Sequence, residues 1–166
     1  MAHNAYIAAF ERRSGKSIVL LGVMELLSHR IHKLGVFRPI IRDSETPDND
    51  IQLVRERFHL QAAYESCFGC SYDQARDLVT AGRYGELLER IVERYKRLER
   101  ECDFVLCEGT DFTGVSTAFE FDFNVDVAKH LGAPLLVIIN ARGKAEDQIL
   151  DAAHAVRGVL DDDGCP

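Results

Sequence analysis

The chain has 166 residues, 20 Lys plus Arg against 27 Asp plus Glu, and a formal net charge of −7 at pH 7. That length suits one domain whose single core needs neither disulfides nor metals, and the acidic balance, with basic residues scattered rather than gathered into a stripe, argues against nucleic acid as a partner. No apolar run approaches the roughly 20 residues that span a bilayer and no signal peptide opens the chain, so no membrane is expected and the cytoplasm is the expected location.

Met1-Ala2-His3 reads as a cloning remnant, and the domain is taken as residues 4–166. Ala5 to Ala9 is the first of four short, nearly continuous apolar runs; the others are Val36 to Ile41, Asp103 to Cys107 and Pro134 to Ile139. Such runs fit parallel strands buried on both faces. After the first comes Gly15-Lys16-Ser17, then a segment from Ser17 to about Lys33 that is apolar almost all round and predicts a central helix. "RDSETPDND", residues 42–50, is a loop by its Pro, Ser, Asn and Asp content. Ser71-Tyr72-Asp73 looks like a helix start. Further on, Tyr84, Leu87, Leu88, Ile91, Val92, Tyr95 and Leu98 share one face of an amphipathic helix. Strands separated by helices of this size predict right-handed crossovers and an α/β three-layer sandwich around a mainly parallel sheet.

Gly15-Lys16-Ser17 is the second half of a phosphate loop, G-x-x-x-x-G-K-[ST], but Phe10 stands where the first glycine belongs and Ala9 precedes it. Such a loop needs a strand before it and a helix after it, so that helix N–H groups and the lysine face an anion; both flanks are present. Ser17 can then reach a magnesium ion. The alternative is a helix N-terminus with a solvated lysine and a capping serine. The strand ending in Glu108-Gly109 brings a carboxylate to the carboxyl edge of the sheet, where open α/β sheets bind ligands, and Glu108 either holds magnesium there or caps a turn.

Weaker signals remain. Cys67 and Cys70 form a C-x-x-C, which zinc or redox chemistry uses in other settings, but five cysteines (with Cys102, Cys107 and Cys165) in a chain without an export signal favour reduced thiols. Phe119, Phe121 and Phe123 alternate with acids: extended, they would expose three rings as an interface patch; otherwise they pack inside. His29 and His32 mark the wetter end of the central helix.

The order of these pieces, with "FRPI" at 37–40, an acidic loop leading to Asp48 and Asp50, "VLCEG" at 105–109 and "NVDVAKHLGAPLLVIIN" at 124–140, resembles dethiobiotin synthetase-like P-loop domains. The closest form of the pattern is the N-terminal domain of the long type of phosphate acetyltransferase, and the likeness covers roughly residues 5 to 157. It implies a P-loop NTPase-like fold, with Gly15, Lys16, Ser17, Glu108 and Gly109 at a nucleotide or phosphate and Ser17, Asp50 and Glu108 at magnesium. In that family the loop is one residue longer, so the lost glycine aligns with Ala9. Glu11, Arg12 and Arg13 depart from the pattern, and Glu11 is expected to repel a polyphosphate. Arg38 replaces a lysine, which disfavours dethiobiotin synthesis because a guanidinium cannot serve as a reacting amine. Thr110-Asp111-Phe112 replaces the glycine-rich continuation.

The family catalyses acetyl-CoA plus phosphate to acetyl phosphate plus CoA in a C-terminal transferase domain that this sequence does not contain. The resemblance therefore implies a noncatalytic regulatory or assembly domain with a degenerate loop, in a homo-oligomer, with "VRGVLDDDGCP" leading toward a further strand. A stand-alone ATP-dependent synthetase-like enzyme and a pure interaction module are the alternatives.

Overall fold

The computed structural model describes residues 2–11, 14–110 and 117–162, without the side chains of 117–119 and 162. Arg12, Arg13, Asp111, Phe112 and Cys165, and the Phe119 side chain, lie outside the described residues.

Five parallel strands form one sheet: β1 (His3–Ala9), β2 (Leu34–Ile41), β3 (Phe68–Ser71), β4 (Phe104–Glu108) and β5 (Leu135–Ile138), in the order β3-β2-β4-β1-β5. Every crossover carries a helix: α1 (Lys16–Ser28), α2 (Asn49–Phe58), α3 (Tyr72–Thr80), α4 (Tyr84–Glu99) and α5 (Thr117–Leu131), with α6 (Glu146–Asp162) after the last strand. α1 packs with α2, and α4 packs with α3 and α5, which gives helices on both sides of the sheet. The α/β three-layer expectation therefore holds. Because all strands run one way, β1, β2 and β4 deliver their carboxyl ends, and α1 and α2 their N-termini, to one edge of the sheet.

The central strands are buried as the apolar runs predict. Tyr6, Ile7 and Ala8 of β1 and Val105, Leu106 and Cys107 of β4 are fully buried. They meet Leu20 and Met24 of α1, Ile51 and Val54 of α2, and the α4 stripe Leu87, Ile91, Tyr95 and Leu98. Each large apolar side chain removed from water contributes about 1.5–3 kcal/mol.

Several expectations are corrected. β1 begins at His3, whose N–H donates to Asp103 O at 2.9 Å, so the last residue of the supposed remnant belongs to the sheet. α1 ends at Ser28, five residues short of Lys33, where the Ser28 hydroxyl turns back onto Glu25 O and the chain tightens on Leu27 O. Nor is α1 buried all round: Ile18 and Leu26 are 76% and 72% exposed. The acidic loop stops at Asp48, whose carboxylate caps α2 by accepting from Asp50 N and Ile51 N. Asn124, the first residue of the 124–140 segment, lies well inside α5. β5 is an edge strand, half-covered, with Leu136 44% exposed.

β3 has no counterpart in the four apolar runs. Its sequence, Phe-Gly-Cys-Ser, lacks the β-branched residues that mark a strand. Ser71 ends it and starts α3 with a reciprocal capping box to Gln74, which confirms the helix start read there. A Cβ on Gly69 would stand 2.5 Å from Pro39 O and 3.0 Å from Ile91, so strand and helix close on a bare backbone. Gly69→Ala is expected to lower stability by about 1–3 kcal/mol through overpacking. Gly85→Ala, in open space on α4, should instead gain a few tenths to about 1 kcal/mol. Urea midpoints of the two variants check the contrast.

A candidate phosphate-loop site centred on Arg38

At the carboxyl edge, Gly15 takes a left-handed backbone (φ 82°) that favours glycine and turns the chain into α1. Ile18 N and Val19 N close the first turn onto Gly15 O. Lys16 is only 6% exposed, and the Ser17 hydroxyl donates to Glu108 Oε1 at 3.4 Å. Gly15, Lys16 and Ser17 line a cavity of about 380 Å³ together with Arg38, Asp50 and Glu108. The residues expected at phosphate and magnesium are thus brought together, apart from Gly109. Gly109 has a packing role: its N–H donates to Ile7 O at 2.7 Å, and a Cβ would meet Asn124 Oδ1 at 2.6 Å.

Arg38 is the hub that sequence reasoning missed. The sequence marks it only as a replaced lysine, but its Nη1 donates to both Asp48 oxygens, at 2.7 and 2.8 Å, and to Asp50 at 3.2 Å. Its Nε stands 3.3 Å from Glu108 Oε2, an ion pair without hydrogen-bond alignment. Burial works against the Arg38 charge, but Glu108 and Asp48 more than offset it and hold the guanidinium charged above its ordinary range. Asp48 is fixed in turn, since it caps α2 and its own N–H donates to Tyr64 OH at 2.7 Å. Beyond this wall a second cavity of about 560 Å³, lined by Arg42, Tyr72 and Thr110 among others, shares Arg38 and Asp50 with the first.

Behind Glu108, a buried network positions the turn. Asn124 Oδ1 accepts from Tyr6 OH and Thr110 N, at 2.7 and 3.0 Å, while its Nδ2 donates to Thr110 O and Glu120 O. The Thr110 hydroxyl donates to Ile40 O and accepts from Ile40 N, which ties the end of β4 to β2. A buried amide that joins the turn after Glu-Gly to Tyr6 and to its own helix has no motif that a single sequence displays.

Other expectations fare differently. Glu11 is paired with Lys144 from the segment after β5, which removes much of the repulsion expected toward a polyphosphate. Phe121 and Phe123 are not an exposed patch: they lie in a helix, 1% and 2% exposed, against Phe10 and Tyr84. Cys67 and Cys70 are free and buried, and burial pushes their thiols up to about 12 and about 11, far from the thiolate a redox role needs. Among the described residues no group of three or more His, Cys, Asp or Glu is placed to hold a metal ion. No helix among them is long and apolar enough to cross a membrane.

A family model described as an AAA domain matches residues 3–160. The chain belongs to that family. It is also 43% identical over 166 residues to a phosphate acetyltransferase of Nitratidesulfovibrio vulgaris, and 38% identical over 167 residues to one of Synechocystis sp.. Each alignment covers 99% of this chain and 24% of the relative, so the chain spans about a quarter of the length of the curated relatives it matches.

Burial pushes the Glu108 carboxyl up to about 7, against the pull of Arg38 and Lys16 and with the push of Asp50 and Asp48. Between the ordinary value of 4.5 and about 7 the folded chain keeps a proton that the unfolded chain has released. This contribution to stability is therefore full below pH 4.5 and is lost as pH rises through 7, with a slope approaching about 1.4 kcal/mol per pH unit. Urea unfolding from pH 4.5 to 8 should show that slope flattened in Glu108→Gln; an identical pH profile in the variant would assign it elsewhere.

Proposed function

We propose that this chain is the N-terminal, noncatalytic domain of a longer phosphate acetyltransferase, with a regulatory or assembly role in acetyl-CoA metabolism in the cytoplasm. The observation that carries this reading is the alignment of nearly the whole chain with a quarter of two relatives of that name. Acetyl transfer between CoA and phosphate then belongs to a C-terminal domain of the same protein. Chemistry at the loop is disfavoured by the residues themselves. Ala9 ends β1 where the family's loop has glycine, and Arg38, committed to three carboxylates, offers no amine to carboxylate. Assembly as a homo-oligomer is supported by Ile18 and Leu26, two turns apart on α1 and largely exposed.

The purified chain, supplied with acetyl-CoA and phosphate, is expected to release no CoA thiol and form no acetyl phosphate, whereas the longer protein does both. Acetyl phosphate made by the 166-residue chain would overturn the assignment. The loop keeps the geometry of an anion site, through its helix N-terminus and a lysine, and holds nucleotide or phosphate weakly if at all. Calorimetric titration of ATP with magnesium should therefore find no micromolar site. Micromolar binding by the wild type that is lost in Lys16→Ala would mean a working nucleotide site.

A further inference from the structure

The fold family pairs its phosphate loop with magnesium, and the residues that would hold the ion here are Ser17, Asp50 and Glu108. Magnesium asks for an octahedron of oxygens at about 2.0–2.1 Å, with room to keep several of its waters. In this chain the same oxygens already face a cation. The Arg38 guanidinium stands 3.2 Å from Asp50, 3.3 Å from Glu108 and 2.7 Å from Asp48, and Ser17 spends its hydroxyl on Glu108. The Arg38 and Glu108 side chains are 13% and 1% exposed and stand 3.3 Å apart, which leaves no room for a water or a metal ion between them.

Neither side of this arrangement can readily yield. Arg38 is anchored in β2, with its N–H on Cys67 O at 2.8 Å, and a guanidinium cannot be deprotonated to make way for a metal. Asp48 is held by α2 and by Tyr64. Three carboxylates facing one guanidinium and one lysine leave a formal charge of −1; without the guanidinium it would be −2, with Asp48, Asp50, Glu108 and the Ser17 hydroxyl around the vacated position.

We propose that Arg38 is the resident cation of this site, standing where the fold family places a divalent metal, so that the domain neither binds nor needs magnesium at its phosphate loop. Any phosphate the loop takes up is taken metal-free. This inference rests on the geometry around Arg38 and is independent of the transferase reading.

Manganese, as a paramagnetic stand-in for magnesium, tests it. In the wild-type chain, millimolar Mn2+ should leave the amide resonances of Ser17 and Asp50 unbroadened, and selective broadening there would overturn the proposal without any variant. Arg38→Gln should then gain one Mn2+ site, at least tenfold tighter than any uptake by the wild type. That site should disappear when Glu108→Gln is added. Because Arg38→Gln alone leaves three carboxylates facing one lysine, at a cost to folding, Arg38→Gln with Asp48→Asn is the second variant. It conserves net charge, keeps an Asn cap on α2 and retains Ser17, Asp50 and Glu108. Uptake of one Mn2+ by either variant, with a magnesium-dependent rise in melting temperature absent from the wild type, supports the proposal. Failure of both variants to take up the ion overturns it.

Discussion

One buried guanidinium holds the ligand edge of this domain together. Arg38 faces Asp48, Asp50 and Glu108 at once, and these come from two different segments: the α2 N-terminus and the end of β4. Burying an ion pair is costly, and leaving a buried charge without its partner costs roughly 3–5 kcal/mol, so such a cluster persists only as a set. Its members also carry other loads. Asp48 starts α2, and Glu108 receives the first turn of α1 through Ser17. The mutual position of α1, α2 and β4 at this edge therefore depends on one side chain of β2.

A second, uncharged device completes that edge. Asn124 in α5 reaches under the turn after β4 and is joined there by Tyr6 and Thr110, so α5, β1, β4 and β2 meet in one hydrogen-bonded network. Gly109 must be glycine for this closure, because Asn124 and Ile7 O occupy the space of a side chain. The glycine of the Glu-Gly pair thus serves the approach of Asn124.

Much of the fold was legible because buried parallel strands announce themselves. Four apolar runs became β1, β2, β4 and β5 with small shifts at their ends, and the α4 stripe lies against the sheet as its period requires. β3 was not legible, since Gly69 is closed in by Pro39 and Ile91, contacts that no local pattern carries. The apolar circumference of α1 misled, because burial depends on what neighbours exist, and nothing among the described residues covers Ile18 and Leu26. At the site, the motif identified Gly15, Lys16, Ser17 and Glu108, but their charge balance lay in Arg38 and Asp48, ten residues apart and joined only by the fold. Arg38 in "FRPI" was visible as a departure from the lysine of related sequences. What it gained in exchange was a geometric fact.

The loop itself carries the same logic. A working phosphate loop is held open by glycine and closed by its nucleotide, with the charges inside it reserved for phosphate and metal. Here Ala9 takes the glycine position at the end of β1, Glu11 is tied to Lys144 and Glu108 to Arg38 and Ser17. Each of these pairings neutralises a group within the protein that a nucleotide complex would otherwise have to neutralise. A ligand gains affinity only from interactions it adds to those already made. The pairing of Glu11 and Glu108 within the protein makes the charges at this edge part of the fold: they tie the segment after β5, the first turn of α1 and the end of β4 to the ends of β1 and β2.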